Sequence, residues 1–144
     1  MHHTGTTITN AKIVSSTQNI SWTSAVGVNV NSNNLTKTAI NNWGNGGASS
    51  VQQITSVDGY IEFSTNEINA AKVGGLSNGV GDLGNGDLDQ EYTNINFGLG
   101  LTPSGQIYIV ETAALKYGQT GRYVPGDVFK VTVESGVLKY YQTR

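Results

Sequence analysis

The residues best suited to metal chemistry form an acidic segment in the second half of the sequence. Asp82, Asn85, Asp87 and Asp89 lie close together, and the last three occupy alternate positions. Alternate positions on an extended chain can turn several oxygen atoms toward one centre. Oxygen ligands supplied by a loop are those that Ca²⁺ prefers. The segment therefore predicts a calcium site; the alternative is a solvated loop whose Asp and Asn side chains cap their own turns.

A second group of residues is suited to gripping a polar ligand. Asn42, Trp43 and Asn45 stand in a loop rich in Asn and Gly. An aromatic face and planar amides together suit the C–H patches and hydroxyls of a sugar. We predict ligand binding here, with Asn78 and Tyr92 as further ligand-binding residues. The alternative is that Trp43 folds back and plugs one end of the domain.

Residues suited to catalysis are scarce. The chain has no cysteine, and its two histidines, His2 and His3, stand next to each other near the N-terminus. A Ser-His-Asp arrangement or a histidine-based metal centre is therefore not expected. Glu62 and Glu111 offer a carboxylate pair for glycoside hydrolysis only if they face each other across a cleft. The alternative places both on solvent-facing strand positions, and we predict that the protein is not an enzyme.

Composition limits the partners and the domain count. The chain has 144 residues, of which 12% are charged, with a formal net charge of −2. This balance gives no reason to expect nucleic-acid binding, and no apolar run is long enough to predict membrane insertion. The length predicts one domain over residues 15–144, preceded by an N-terminal arm or edge strand over residues 1–14. Abundant Ser, Thr, Asn and Gly favour an extracellular or cell-surface location.

The clearest structural pattern lies near the C-terminus and predicts a β-hairpin over Gly126–Tyr141. Two runs of β-branched and aromatic residues flank Ser135-Gly136, a pair that suits the positive φ angles of a tight turn. Pairing across this turn separates an apolar face from a polar one. The predicted opposite pairs are Val133 with Leu138, Val131 with Tyr140, and Thr132 with Lys139.

Similar patterns recur through the rest of the chain. A second hairpin is predicted on Asp58-Gly59, with Ile54 opposite Phe63 and Thr55 opposite Glu62. One strand over Ala25–Val30 is predicted to place its three valines on one face, with a return strand over Leu35–Thr38. Further strands are predicted over Ala70–Leu76, Ile95–Leu101 and Gln106–Glu111. Roughly ten short strands without helical periodicity predict an all-β fold, an antiparallel sandwich or jelly roll.

Several short motifs follow one another in a recognisable order: Trp22-Thr23, Asn34–Thr38, Asn42-Trp43, Asp58–Phe63, Gly75–Asn78, Gly126–Val131 and Gly136–Tyr141. From Trp22 to Tyr141 this order resembles the concanavalin A-like β-sandwich domains, which are related in shape to legume-type lectins and SPRY domains. Such domains recur in bacterial surface proteins and slime-mould hemagglutinins. The resemblance implies a non-catalytic, carbohydrate-binding module that holds glycans through rim loops.

The sequence departs from this family pattern in two places. The loop over Gly79–Glu91 is longer and more acidic, and the expected last strand after Tyr141 is not found. An incomplete sheet suggests an alternative function, a structural subunit of a surface filament, tail or layer assembled by strand addition. In that case Gly5–Val14 would be the donated arm, and edge strands would join copies into a homo-oligomer. The alternative is that this arm fills the vacant place in the sheet of its own domain.

Overall fold

The computed structural model describes residues 1–2, 4–13, 18–79, 92–111 and 114–144. Within these ranges the chain is all-β, and every strand pairing is antiparallel. A single turn of 3-10 helix spans Tyr92–Asn94. None of the described residues belongs to a helix long and apolar enough to cross a membrane. The all-β class predicted from the sequence is therefore confirmed.

The strands are short and evenly spread along the chain. In order they are β1 (Thr7–Ile13), β2 (Gln18–Asn19), β3 (Trp22–Val26), β4 (Val28–Asn31), β5 (Asn34–Lys37), β6 (Gly47–Ser50), β7 (Gly59–Ser64), β8 (Lys72–Leu76), β9 (Phe97–Leu101), β10 (Gln106–Glu111), β11 (Ala114–Arg122), β12 (Val128–Glu134) and β13 (Val137–Thr143).

These strands form three sheets. One sheet has seven strands. Six of them follow the order β13-β12-β7-β1-β5-β4, and the seventh, β2, pairs with β1. A four-stranded sheet has the order β11-β10-β9-β8, and β3 and β6 form a two-stranded sheet. Side chains of the two larger sheets share one hydrophobic core, which is consistent with a β-sandwich.

Aromatic rings fill the middle of that core. Phe129 lies between Phe63 and Tyr123, with ring centroids 5.7 Å and 5.6 Å away. Gly74 on β8 lets the two sheets approach here, because a Cβ atom at this position would lie 2.6 Å from the ring of Phe63. The sequence places a glycine where the Phe63 ring needs the space.

The N-terminal segment is an interior strand of its own sheet. β1 pairs with β7 on one side and with β5 and β2 on the other. Ile8, Ala11 and Ile13 are buried in the core. The described part of the N-terminal segment therefore fills a place in the chain's own sheet, which was one of the two outcomes expected for it.

The predicted C-terminal hairpin is confirmed in its register. Val133 lies opposite Leu138 and Val131 lies opposite Tyr140, and Thr132 pairs with Lys139. Ser135 and Gly136 have φ angles of 51° and 78°. Both central residues therefore have the left-handed conformation of a type I′ turn, which matches the twist of the flanking strands.

The predicted hairpin on Asp58-Gly59 does not exist. Gly59 begins β7 and pairs with Val133 on β12, so β7 lies between β12 and β1. Asp58 instead accepts a hydrogen bond from the Ser135 amide through Oδ1, at 2.7 Å. The Asp-Gly pair therefore supports the tip of the C-terminal hairpin, a contact between segments far apart in sequence.

The strand predicted over Ala25–Val30 is broken in two. Gly27 has a φ angle of 63°, and its carbonyl accepts hydrogen bonds from the backbone amides of Thr38 and Ala39. Val26 and Val30 are consequently exposed, whereas Val28 packs against the core. The return strand was correctly predicted, since β4 and β5 pair through a turn at Ser32-Asn33.

Replacing the turn glycine tests the hairpin. We expect Gly136→Ala to destabilise the fold by about 1–2 kcal/mol, because alanine resists a positive φ angle even though the space around Gly136 is open. Urea unfolding measures the change. Gly121→Ala is the matched control, since its Cβ would meet only ordinary contacts at 3.7 Å or more. Equal losses in the two variants would contradict the turn assignment.

Candidate functional site

A cleft of about 460 Å³ lies between the sheets. Its floor belongs to the seven-stranded sheet, and its two sides belong to β6 and β8. The lining residues on these three sides include Ile8, Ile13, Leu35, Ile61 and Phe63 on the floor, Gly46–Ser50 on one side, and Val73–Gly79 on the other.

The sides and the floor of the cleft are built differently. β7 lines the floor with alternate residues, Ile61 and Phe63, as a strand does when it presents one face. β6 and β8 instead line the cleft with consecutive residues, namely all of β6 and Val73–Leu76 of β8. A strand whose consecutive residues all border one space presents its edge to that space. The cleft therefore lies between two strand edges.

Both edges are open within the described part of the chain. β8 pairs only with β9, and β6 pairs only with β3. Their main-chain N–H and C=O groups on the cleft side pair with no other described strand. Such rows of unpaired groups are the means by which one strand recruits another.

The cleft carries no charged side chain. Its exposed end is lined by neutral polar residues, namely Gln53, Ser56, Ser77 and Asn78, with Gln52 and Asn94 also contributing. The deeper lining is apolar. Met1 also lines the cleft, and its ammonium group donates a 2.9 Å hydrogen bond to the Gly46 carbonyl. A ligand for this cleft would be uncharged, with apolar groups facing inward.

Trp43 and its neighbouring amides do not line this cleft. The Trp43 ring is 37% exposed and packs against His2, with ring centroids 5.3 Å apart. Asn42 Oδ1 accepts a hydrogen bond from the Trp43 backbone amide, and the Asn45 side chain donates a hydrogen bond to the Ile40 carbonyl. Both amide side chains thus stabilise their own loop, and the predicted sugar platform there stays a prediction.

The other predicted binding residues are distributed differently. Asn78 lines the exposed end of the cleft, and the backbone of Tyr92 begins the 3-10 turn that leads to Asn94 in the lining. Asp82, Asn85, Asp87 and Asp89 lie outside the described residues. The described part of the chain contains no cluster of His, Asp or Glu that could hold a metal ion.

The two carboxylates considered for hydrolysis have separate partners. Glu62 Oε2 lies 4.0 Å from Lys130 Nζ, and Glu111 accepts a 3.0 Å hydrogen bond from the Tyr140 hydroxyl. Neither lines the cleft. Tyr123 is buried, and burial together with the charge of Glu67 raises its pKa to about 12.

A buried lysine holds the wall of the cleft at Gly46. Lys37 Nζ donates to the backbone carbonyls of Met1, His2 and Asn42. Burial lowers the pKa of Lys37. The Lys37 stem leaves no room for a side chain at Gly46, where a Cβ would lie 2.9 Å from it. The hydrogen bonds from Lys37 to the Met1 and His2 carbonyls hold these N-terminal residues beside β6.

A buried ion pair holds the opposite wall. Lys72, at the start of β8, is fully buried and lies 2.7 Å from Glu67 Oε1. Its Nζ also donates to the Thr65 hydroxyl at 2.6 Å. Glu67 in turn accepts hydrogen bonds from the Thr7 amide and hydroxyl on β1. The network joins β8 to the floor strand β1.

The charges in this network depend on one another. Burial by itself would raise the pKa of Glu67, but hydrogen bonds from Lys72 and Thr7 and the Lys72 charge outweigh it, so the pKa is lowered. Burial lowers the pKa of Lys72 more than Glu67 raises it. A buried ammonium in this position is tolerated because a carboxylate lies beside it.

Sequence reasoning missed most of the cleft. Trp22 lines it and donates Nε1–H to the Asn33 carbonyl at 3.0 Å, and Gln52 lines it while bridging Ser21 and Asn19. These residues stand on segments brought together only by sheet topology. The scarcity of charge over residues 38–57 was the one signal in the sequence that pointed to a neutral surface.

No protein-family model, no curated protein and no solved structure matches the chain. The resemblance to concanavalin A-like domains therefore remains a prediction. The geometry of the cleft and its edges is the basis for assigning a function.

Removing the carboxylate of the ion pair tests its role. We expect Glu67→Gln to cost roughly 3 kcal/mol at pH 7, because Lys72 is left as a buried charge without a counter-charge. The pKa of Glu67 is lowered in the fold, so the stabilisation that its carboxylate provides is fully present above the unfolded pKa of about 4.3. This stabilisation is lost as the pH falls through the pKa of Glu67 in the folded protein. Urea unfolding from pH 7 to pH 3 should therefore show the two chains converging.

The matched control is Glu62→Gln, which removes a carboxylate of similar exposure whose partner, Lys130, is 38% exposed and lies 4.0 Å away. We expect this variant to lose less than about 1 kcal/mol at pH 7. Equal losses from the two substitutions, or a Glu67→Gln cost that does not change with pH, would contradict the role assigned to the network.

Proposed function

We propose that the protein is a non-catalytic binding module that accepts an extended segment of a partner protein between β6 and β8. The observation that carries this proposal is the pair of strand edges that flank one uncharged cleft. A strand placed between them would pair its main chain with one or both edges. Binding of this kind takes its affinity from backbone hydrogen bonds and its specificity from pockets for alternate side chains.

The floor of the cleft defines the partner segment. Ile8, Ile13 and Ile61 are apolar and would receive every second side chain of an extended segment. The lining has no charged side chain to pair with an acidic or basic one, and burying an unpaired charge is costly. The segment would therefore carry apolar residues at alternate positions and no charge on its inner face.

This proposal revises the structural alternative derived from the sequence. Residues of the supposed donor arm form β1 inside their own sheet, so they are not the segment that is donated. The chain is the acceptor of a strand instead. Such a module would serve as a structural subunit of a surface filament, tail or layer, in the extracellular or cell-surface setting that the composition favours.

Carbohydrate binding is the second proposal, and its support is the neutral polar end of the cleft. Gln53 and Asn78 supply exposed amides there, beside the hydroxyls of Ser56 and Ser77. A glycan would bind at this exposed end rather than along the strand edges. A concanavalin A-like jelly-roll topology and a calcium site in the acidic segment belong to the same lectin-like proposal.

Peptide binding distinguishes the two proposals. We expect an uncharged hexapeptide of alternating valine and threonine to cause saturable NMR shift changes in the amides of Ala48–Ser50 and Val73–Leu76. Ala48→Phe should abolish them, because Ala48 packs toward the core beside the cleft and a larger ring there would fill it. Thr36→Phe, on an exposed position of β5, should not.

The same titration with a hexapeptide in which proline replaces the central valine is a second control, since proline removes a main-chain donor. A glycan array tests the carbohydrate-binding proposal. Glycan binding that shifts only the amides near Gln53 and Asn78 would favour the lectin-like proposal. Peptide shifts that are unchanged by Ala48→Phe would contradict strand acceptance in the cleft.

A further inference from the structure

The two walls of the cleft run in the same direction. The Met1 nitrogen donates a 2.9 Å hydrogen bond to the carbonyl of Gly46, the residue before β6. The His2 amide donates a 2.9 Å hydrogen bond to the carbonyl of Ala71, the residue before β8. Both strands therefore begin at the same end of the cleft, and both lead to the neutral polar residues at the other end. β6 and β8 are thus parallel to each other across the cleft.

The first two residues of the chain close the end at which both walls begin. Met1 is 7% exposed and lines the cleft. Through the two hydrogen bonds just described, Met1 and His2 bridge the walls, and Lys37 holds the bridge through the carbonyls of both residues. An extended segment that lies along the walls has room to continue past the polar end, but not past Met1.

The closed end carries a buried positive charge. An ammonium group has three N–H donors, and Lys37 Nζ directs three hydrogen bonds to the backbone carbonyls of Met1, His2 and Asn42. A neutral amine would have only two donors for these three acceptors. Within the described residues, no carboxylate lies within ion-pairing distance of Lys37. Its charge therefore acts on the space beside Met1 and Gly46, which lie against the Lys37 side chain.

We propose that the partner segment is the C-terminal tail of a protein, bound with its terminal carboxylate at the closed end of the cleft. This inference rests on the strand acceptance proposed above and specifies the partner. A segment between two parallel strands is either antiparallel to both of them or parallel to both. Every strand pairing in the described chain is antiparallel, and antiparallel ladders are the more stable per residue. An antiparallel segment runs from the polar end toward Met1, which places its C-terminus there.

Charge favours the same direction. A segment that ran the other way would bring its N-terminal ammonium toward Lys37, and like charges repel each other strongly where water is excluded. A terminal carboxylate is attracted instead, and it ends the segment where Met1 leaves no room for further residues. The carboxylate lies at the end of the segment rather than on its inner face. The neutral lining therefore still meets no charged side chain.

A spin label on the peptide tests the direction. The probe is the alternating valine-threonine hexapeptide with a free C-terminal carboxylate and a nitroxide on its N-terminus. We expect the bound label to broaden the NMR signals of the Ser50 and Leu76 amides, at the polar end, more strongly than those of Gly47 and Val73. Equal broadening at the two ends, or stronger broadening at Gly47 and Val73, would overturn the proposal.

Changes at the peptide ends test the carboxylate and the closed end. With acetylated hexapeptides, we expect amidation of the C-terminus to raise the Kd about tenfold, because the attraction to Lys37 is lost. A Gly-Ser-Gly-Ser extension after the last residue should raise the Kd by about tenfold or more, because its residues would have to pass Met1. The same extension before the first residue is the matched control and should leave the Kd unchanged.

Lys37→Met assigns the preference for the carboxylate to Lys37. Methionine is similar in length and carries no charge, so we expect the acid and the amide to bind this variant equally. Lys130→Met is the matched control, because Lys130 is 38% exposed and does not line the cleft. It should keep the preference of the natural chain. If Lys37→Met does not fold, the spin label and the two extended peptides decide the question with the natural chain.

The outcomes separate this inference from the proposed function. Peptides that bind the natural chain with the same Kd as acid and as amide would overturn C-terminal capture and leave strand acceptance standing. The same holds if both extensions are tolerated equally. Absence of binding by every peptide, or binding unchanged by Ala48→Phe, would contradict strand acceptance itself, and C-terminal capture with it.

Discussion

The ion pair between Lys72 and Glu67 is the interaction on which the arrangement of the sheets depends. It is the point at which the first residues of β8, the segment after β7 and the first residues of β1 meet through side chains. β8 is both the edge of the four-stranded sheet and one wall of the cleft. The position of that wall relative to its floor is therefore set by a buried charge that tolerates little change.

Backbone pairing explains why the cleft is interpreted as a site for a further strand. A strand inside a sheet, such as β1, satisfies its main-chain groups on both sides. A strand at an edge leaves half of them for water or for another strand. In this chain β6 and β8 border one cleft with an apolar floor. This geometry favours a strand inserted from a partner.

The sequence predicted those parts of the fold whose signals are local. The hairpin over β12 and β13 has its turn residues and both alternating runs within a short stretch, and its register was correct. Asp58-Gly59 has the same local signal, but Gly59 pairs with Val133 and Asp58 binds the Ser135 amide. Local turn chemistry does not reveal that a distant strand competes for the same residue.

The site was less predictable than the fold for a related reason. Polar and aromatic residues such as Asn42 and Trp43 suggested a binding loop, yet the side-chain carbonyl of Asn42 accepts a hydrogen bond from the backbone of that loop. The cleft instead depends on which strands lie at sheet edges, a property of topology that residue types do not encode. The sequence contained a signal that the lining of the cleft would lack charge, because residues 38–57 include no charged side chain. It contained no signal for the position of the cleft.

Hydrogen exchange of the free protein tests most directly whether the cleft lies between open strand edges. Amides of β7 and of β12, which are paired on both sides, should exchange slowly throughout. Along Val73–Leu76 and Gly47–Ser50 we expect slow and fast amides to alternate, because only every second one is directed toward a neighbouring strand. Uniformly slow exchange along both β6 and β8 would show that their edges are already paired, and it would contradict the account.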